Sequence, residues 1–524
     1  MTLLLDRASA AGPLAGARAG RGRQWLRLHR ASLLTLAGVL AVVGAAMAWN
    51  LQGWPGRVND DEGTYVAQAW AMLHPHHLSH YTYWYDHPPL GWAAIAAHEW
   101  LTAGFRRDPS AVMAGRELMW LATLASCAVL YLLGRRLGLR RATTAVTVGL
   151  FGLSPLAIFY HRMVSLDNLA TAWLFAALAI AASRRRGLAA AFWSAACAAA
   201  GVLTKETIAI QVPIVVWVLC QHADRRTRRW NLAIFAVTFV LLVLSYPLFA
   251  VLRGELLPGP GHVSLGWALW WQFAGRSGSG SVLDPHSAAY HLAHFWLGID
   301  AWLLVAGLAL VPTGLMVRRL RPFAIGLAIQ VAVMVKGGYL PYFYVTAMLP
   351  FAALLIGGIA DTLWTVSPGR HPRSSWRATL AAVGRRLPVA VAAVVLVALV
   401  LPRWSGALRA QSTVAGDASS RAATAWIERT IPKGDVVVVD DYMWTDLKLR
   451  GWNPLWLWKT DGDPQVTREV LPHGYRSIQY VVLAPQATST LATEPTLKAA
   501  LDHSVVVKDF GDGITARRVT GAVP

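Results

Sequence analysis

Three adjacent acids, Asp60, Asp61 and Glu62, open the stretch VNDDEGTYVAQAWAML, which continues with the period of a helix. Carboxylates packed this densely raise one another's pKa, and a helix start eases their charge. One of them can serve as a general base toward a hydroxyl; the plain alternative is a capped, solvated helix start. Further on, YTYWYDHPPLGWAAIA sets Asp86 and His87 before a Pro-Pro pair that fixes the backbone. A turn explains the prolines but not the acid and the imidazole.

The segment FYHRMVSLDNLATAWLF carries His161, Arg162 and Asp167. Either Arg162 meets an anion while Asp167 orients a partner, or the two form an ion pair between helix ends. Lys205 and Glu206 interrupt two apolar runs in GVLTKETIAI, and Lys336 precedes GGYLPYFYVTAMLPFAALL, which holds Tyr339 and Tyr342. Either lysine alone could snorkel to the membrane interface. Together with Arg162 they put three cations on one surface otherwise rich in acids, which suits a phosphate. His74, His76, His77 and His80 form a cluster whose spacing matches no tight zinc motif. The segment WNPLWLWK (452–459) reads as core or as a sugar-stacking surface, and GRSGSGSVLDPH as a linker or as a tract that orders on substrate.

The elements that must position these groups follow from composition. Of 524 residues, 55% are apolar and only 15% charged, with a mean hydropathy of +0.41. Ordinary soluble domains are about 25% charged. The net charge of +20 would suggest nucleic-acid binding on a soluble chain. Here the first 402 residues hold 34 basic and 15 acidic residues, and the basic ones sit in short clusters between apolar runs of membrane-spanning length. The charge therefore reports topology and excludes a nucleic-acid partner. Cys127, Cys197 and Cys220 all lie inside apolar runs and offer no structural bridge outside the membrane.

Apolar runs fall near 31–48, 112–134, 142–160, 167–183, 188–204, 206–221, 231–252, 293–317, 322–337, 341–361 and 387–402. The first, after an Arg-rich stretch of 1–30, is read as a retained helix rather than a signal peptide. Threading about eleven spans puts GRRLGLRR, RRR, RRTRR and RRLR on the side of the N-terminus, which the positive-inside rule makes cytoplasmic. The opposite face then receives 12 of the 15 acids of the membrane part, the loops 50–111 and 253–292, and the segment 403–524. That last segment reads as a small extracytoplasmic α/β domain: an amphipathic helix, a buried strand at Val436–Val439, a second strand in YRSIQYVVLAP, and a hairpin with a Gly-Asp-Gly turn.

In this order and on one face, DDEGTYVAQAWAML, DHPPL, YHRMVSLDN, LTKET and YLPYFYVTAMLPFAALL resemble the GT-C class of integral-membrane glycosyltransferases. The branch is that of dolichyl-phosphate-mannose protein mannosyltransferases and the bacterial lipid A aminoarabinose transferases. The resemblance covers most of the first 360 residues. It implies a GT-C fold and an inverting transfer of a hexosyl or pentosyl group, while the Ala-, Arg- and Trp-rich composition points to a bacterial plasma membrane. The donor would be a polyprenyl-phosphate sugar and the acceptor a hydroxyl of the cell envelope. It further implies Asp61 as base, Glu62 as its neighbour and Asp167 as a second acid. Substrate would be bound by Asp60, Asp86, His87, His161, Arg162, Lys205, Lys336, Tyr339 and Tyr342. One departure is His87, where the aminoarabinose branch has a lysine before the prolines. A lipid monophosphate leaving group does not oblige a metal, so a divalent cation stays open. Two other classes compete: a transporter or flippase of lipid-linked sugars, which should carry its ionisable groups near the middle of its helices, and a glycan-binding relative without catalysis.

Overall fold

A computed structural model of the chain describes residues 11–56, 60–74, 85, 87–183, 187–259, 264–365, 376–485 and 494–523. Each expected apolar run coincides with a helical segment. Five helices among the described residues are long and apolar enough to cross a membrane by length and composition: His29–Ala48, Ala111–Arg136, Arg228–Leu252, Ala288–Met316 and Tyr344–Thr365. A sixth arises if the bent pair Arg141–Leu153 and Pro155–Arg162 forms one span, and Leu166–Ala181, Leu188–Thr204 and Glu206–His222 are shorter apolar helices. The first helix is an integral part of the bundle. Val43 and Met47 are fully buried, and Trp120 Nε1 donates to the Gly44 carbonyl at 3.0 Å.

The 60° bend between Leu153 and Pro155 has a local cause. Pro155 lacks an N–H and cannot continue the preceding helical ladder, while Ser154 caps the new helix by accepting from the Ala157 N–H at 3.4 Å. The Ser154 hydroxyl donates to Asp300 at 2.6 Å, and Asp300, at φ −156° and ψ 99°, breaks the helix Ala288–Ala309. Threading counted Asp300 with the acids of the opposite face. It is instead 3% exposed within an apolar helix, where it accepts from Ser154 and from the Trp302 N–H.

On one side of the bundle lies a five-stranded sheet in the order β2-β1-β3-β5-β4. Its strands are β1 (Val437–Val439), β2 (Leu455–Trp456), β3 (Tyr480–Leu483), β4 (Ser504–Asp509) and β5 (Thr515–Val519). β1 pairs in parallel with β2 and β3, and β5 joins β3 to β4 in antiparallel pairs. Both strands and the hairpin read from the sequence are present, and the turn places Gly511, Asp512 and Gly513 at positive φ. The helix Trp376–Ser412 runs past the expected domain start at 403.

The sheet domain does not close its core alone. Ala67, Trp70 and Ala71 of the helix Asp61–Leu73 join Val437–Val439, Trp444 and Leu447 in one apolar cluster. Gly63 permits this approach, because a Cβ there would strike the Asp441 carbonyl. The helix that begins with the acidic pair is therefore clamped between membrane bundle and sheet.

Candidate active site

Asp60 and Asp61 are half-buried at the N-terminal end of the helix Asp61–Leu73. One turn on, buried Tyr65 points its ring and hydroxyl at Lys205, whose Nζ lies 3.5 Å from the hydroxyl and 5.9 Å from the ring centroid. Lys205 reaches this position because its backbone is extended (φ −150°, ψ 117°) between the helix Leu188–Thr204 and the 3-10 turn Glu206–Gln211. The break turns the ammonium inward, at 5% exposure, instead of letting it snorkel.

His87 sits between Lys205 and Glu206. Its Nε2 is 2.7 Å from Lys205 Nζ and its Nδ1 is 3.1 Å from Glu206 Oε2. Lysine can only donate and carboxylate only accept, so the geometry assigns a neutral ring with its proton on Nδ1. Tyr246 donates to the His87 carbonyl at 3.2 Å and fixes the backbone. Asp167, capped by Ser165 at 3.1 Å through its own N–H, lies within electrostatic reach of Lys205, His87 and Glu206.

A second cation comes from the glycine-serine tract. That tract is built into the structure: the Ser279 N–H donates to Gly338 O at 2.7 Å, Ser281 Oγ to Val335 O at 2.7 Å, and Leu340 N–H to Ser279 Oγ at 3.0 Å. The stitching lays Arg276 over the ring of Tyr339, with the guanidinium carbon 3.5 Å from the centroid and Nη2 donating to the hydroxyl at 2.6 Å. Tyr339 is 38% exposed; partial desolvation pushes its hydroxyl up, and Asp61 and Asp60 add to this while Arg276 and Lys205 oppose it. Two carboxylates and two cations thus lie within electrostatic reach of the Tyr339 hydroxyl, Arg276 in direct contact.

Other expected residues go elsewhere. Glu62, expected as the neighbour of the base, is turned away into the bundle. It is 0% exposed and bound on both oxygens by Arg116, Nε at 2.9 Å and Nη2 at 2.7 Å, and it also accepts from the Val164 N–H at 2.8 Å. Arg116 donates further to Leu51 O, Gln52 O and the Tyr442 hydroxyl at 3.0, 3.1 and 3.3 Å. His161 is fully buried, edge-on to Phe151 at 5.1 Å, with both ring nitrogens unpartnered. It is packed into the bundle and not presented at a surface. Arg162 donates to Trp49 O at 2.7 Å and lies 5.3 Å over the Trp54 ring, apart from the Lys205 group. Tyr342 packs in an aromatic cluster with Tyr160 and Phe295, and Lys336 is exposed at the end of its helix. Asp86, His76, His77 and His80 lie outside the described residues.

Sequence reasoning missed Arg276, Tyr65, Arg116 and Trp458 as members of this region. Arg116 did leave a signal, an arginine beside Glu117 within an apolar run. Arg276 left none beyond its place in a polar loop. Trp458, in the segment read as core or sugar surface, donates its indole N–H to Asp60 at 3.3 Å. Among the described residues, no group of three or more His, Cys, Asp or Glu is arranged to hold a metal.

The apo structure of ArnT from Cupriavidus metallidurans aligns over 96% of this chain and 100% of its own, with a TM-score of 0.56 and 19% identity. The chain has the GT-C fold. The same ArnT bound to undecaprenyl phosphate aligns over 94% and 99% of the two chains, at the same TM-score and identity. The oligosaccharyltransferase of Archaeoglobus fulgidus, another GT-C structure, aligns over 89% of this chain and 72% of its own, with a TM-score of 0.52 and 12% identity. By sequence, residues 86–249 match the dolichyl-phosphate-mannose-protein mannosyltransferase family. That stretch contains His87, Asp167, Lys205 and Glu206, whereas Asp60, Asp61, Arg276 and Tyr339 lie outside it. No curated protein matches the chain by sequence.

Proposed function

We propose that the protein is an inverting glycosyltransferase that moves a sugar from a polyprenyl-phosphate carrier to a hydroxyl acceptor. Transfer would occur on the outer face of a bacterial plasma membrane, with the N-terminus cytoplasmic and the sheet domain outside. The observation that carries this reading is that carboxylates and cations converge near Tyr339: Arg276 Nη2 donates to its hydroxyl at 2.6 Å, and Asp60, Asp61 and Lys205 lie within electrostatic reach of it. Inversion at an anomeric carbon needs both kinds of charge in one place. Asp61 takes the proton of the acceptor hydroxyl as its oxygen attacks, the bond from the anomeric carbon to the phosphate oxygen breaks, and the lipid phosphate leaves with the electron pair. Lys205, aimed by His87, and Arg276 meet the charge that grows on that phosphate. Asp167 keeps the cationic group in balance, and Glu62 holds the helix that carries Asp61. The phosphate end of the donor binds between Lys205 and Arg276; ArnT bound to undecaprenyl phosphate supports that carrier class. The acceptor enters from the side of the sheet, where Trp458 meets Asp60.

The test is transfer of labelled sugar from polyprenyl-phosphate mannose, arabinose, glucose and aminoarabinose in membranes bearing wild type, Asp61→Asn or Arg276→Ala. Wild type should consume one of these donors. Asp61→Asn should lose turnover while remaining folded, and Arg276→Ala should lose donor affinity. Near-normal turnover by Asp61→Asn would remove the base assignment, and donor that crosses the membrane intact would favour a transporter.

A further inference from the structure

A second charged cavity lies away from this site. Its volume is about 340 Å³, and its walls include Trp49, Arg162, Leu408, Arg409, Gln411 and Ser412. It opens at the seam where the helices Ala11–Ala48 and Trp376–Ser412 end on the side of the sheet. It shares no lining residue with the Lys205 and Arg276 group.

Its electrostatics are one-sided. No acidic residue lines it, while two arginines do. Arg162 is 2% exposed, and its Nε is buried without a hydrogen-bond partner. Among the described residues neither arginine has an ion-pair partner, and Glu62 is already held by Arg116. Helix ends in the vicinity contribute partial negative charge, about half a unit each. Their carbonyls are largely satisfied: Arg162 takes Trp49 O, Asn168 takes Tyr160 O and Met163 O, and Asn50 takes Gln411 O. A net positive charge therefore remains. The Gln411 side-chain oxygen, also buried and unpartnered, marks an amide whose N–H₂ end can be turned to an acceptor. The Ser412 hydroxyl already donates to Arg409 O at 2.7 Å and adds no donor.

A buried unpaired guanidinium at a membrane boundary is costly and calls for an anion. The rest of the wall, Ala45, Ala46 and Leu408, is apolar, and Trp49 is 68% exposed beside it as an interfacial tryptophan would be. We propose that this cavity binds the phosphate of an anionic membrane lipid, with an acyl chain against the apolar wall, at a site separate from the one for glycosyl transfer. The proposal does not depend on the transfer reaction.

The full-length protein in neutral detergent, studied by native mass spectrometry with added phosphatidylglycerol or phosphatidylcholine, tests it. Wild type should retain phosphatidylglycerol over phosphatidylcholine. Arg162→Gln and Arg409→Gln should each weaken that retention about ten-fold, the loss of one charge-assisted contact, while Lys205→Ala leaves it intact. Arg162 also holds Trp49, so the exposed Arg409 provides the variant whose folding is not at stake. Equal retention of the two lipids, or unchanged retention by Arg409→Gln, overturns the proposal. Loss in Lys205→Ala overturns the separateness of the site. Inorganic phosphate that binds as tightly as the lipid and displaces it overturns the assignment to a lipid.

Discussion

Lys205 Nζ and His87 Nε2 are 2.7 Å apart, and the far nitrogen of the same ring faces Glu206 at 3.1 Å. The imidazole thus aims the ammonium without adding a charge of its own. The helix break after Thr204 and the proline pair after His87 are both needed, since each fixes one end of the contact.

His87→Ala should therefore raise KM for the lipid-linked donor about ten-fold, with a smaller change in kcat, because Lys205 loses its guide and not its charge. His87→Lys, which places a cation where the aminoarabinose branch has one, should retain more activity than His87→Ala. Donor-concentration series on the three proteins decide this; equal losses in both variants would remove His87 from phosphate binding.

Glu62 and Arg116 are both fully buried and bound on two pairs of atoms. Glu62→Gln leaves the guanidinium without its countercharge and should cost about 3–5 kcal/mol, seen as a lower midpoint of thermal unfolding in detergent. A variant that melts as wild type but has lost all turnover would instead place Glu62 in the chemistry.

Asp446 joins the sheet domain to the bundle by accepting from the Ala111 N–H at 2.7 Å. Burial raises its carboxyl to about 6, against the help of that N–H and of Arg450. The sign follows: the folded state holds the proton more tightly, so the site is neutral and unpenalised below pH about 4, and stability is lost as pH rises through about 6. Asp446→Asn keeps an acceptor for Ala111 and removes the penalty. It should unfold at higher temperature than wild type at pH 8, by up to about 3 kcal/mol in stability, and match it at pH 4. A gain that does not vary with pH would assign the effect to packing.

Much of this molecule was legible in the linear chain. Apolar runs of spanning length found the helices, because no buried backbone in a bilayer can go unpaired and only a helix satisfies every group within one segment. Alternation and turn chemistry found the strands of the sheet for equally local reasons. Asp61, Asp167, Lys205 and His87 stood out because ionisable groups beside apolar runs are costly.

What local pattern could not supply was the sorting of like-looking charges. Asp61 and Glu62 are adjacent in sequence, yet one faces the site and the other points into Arg116, because successive helical residues are turned about 100° from each other. Arg162 and Lys205 look equivalent in sequence but lie against different helices. Arg276 and Trp458 enter only through segments far along the chain, one stitched to residues 334–340 and the other carried on the sheet. Asp300, which apolar threading counted with the acids of one face, is held inside the bundle by a hydroxyl 146 residues away. Those assignments depend on which helix meets which, and that is decided by close packing of side chains across the whole fold.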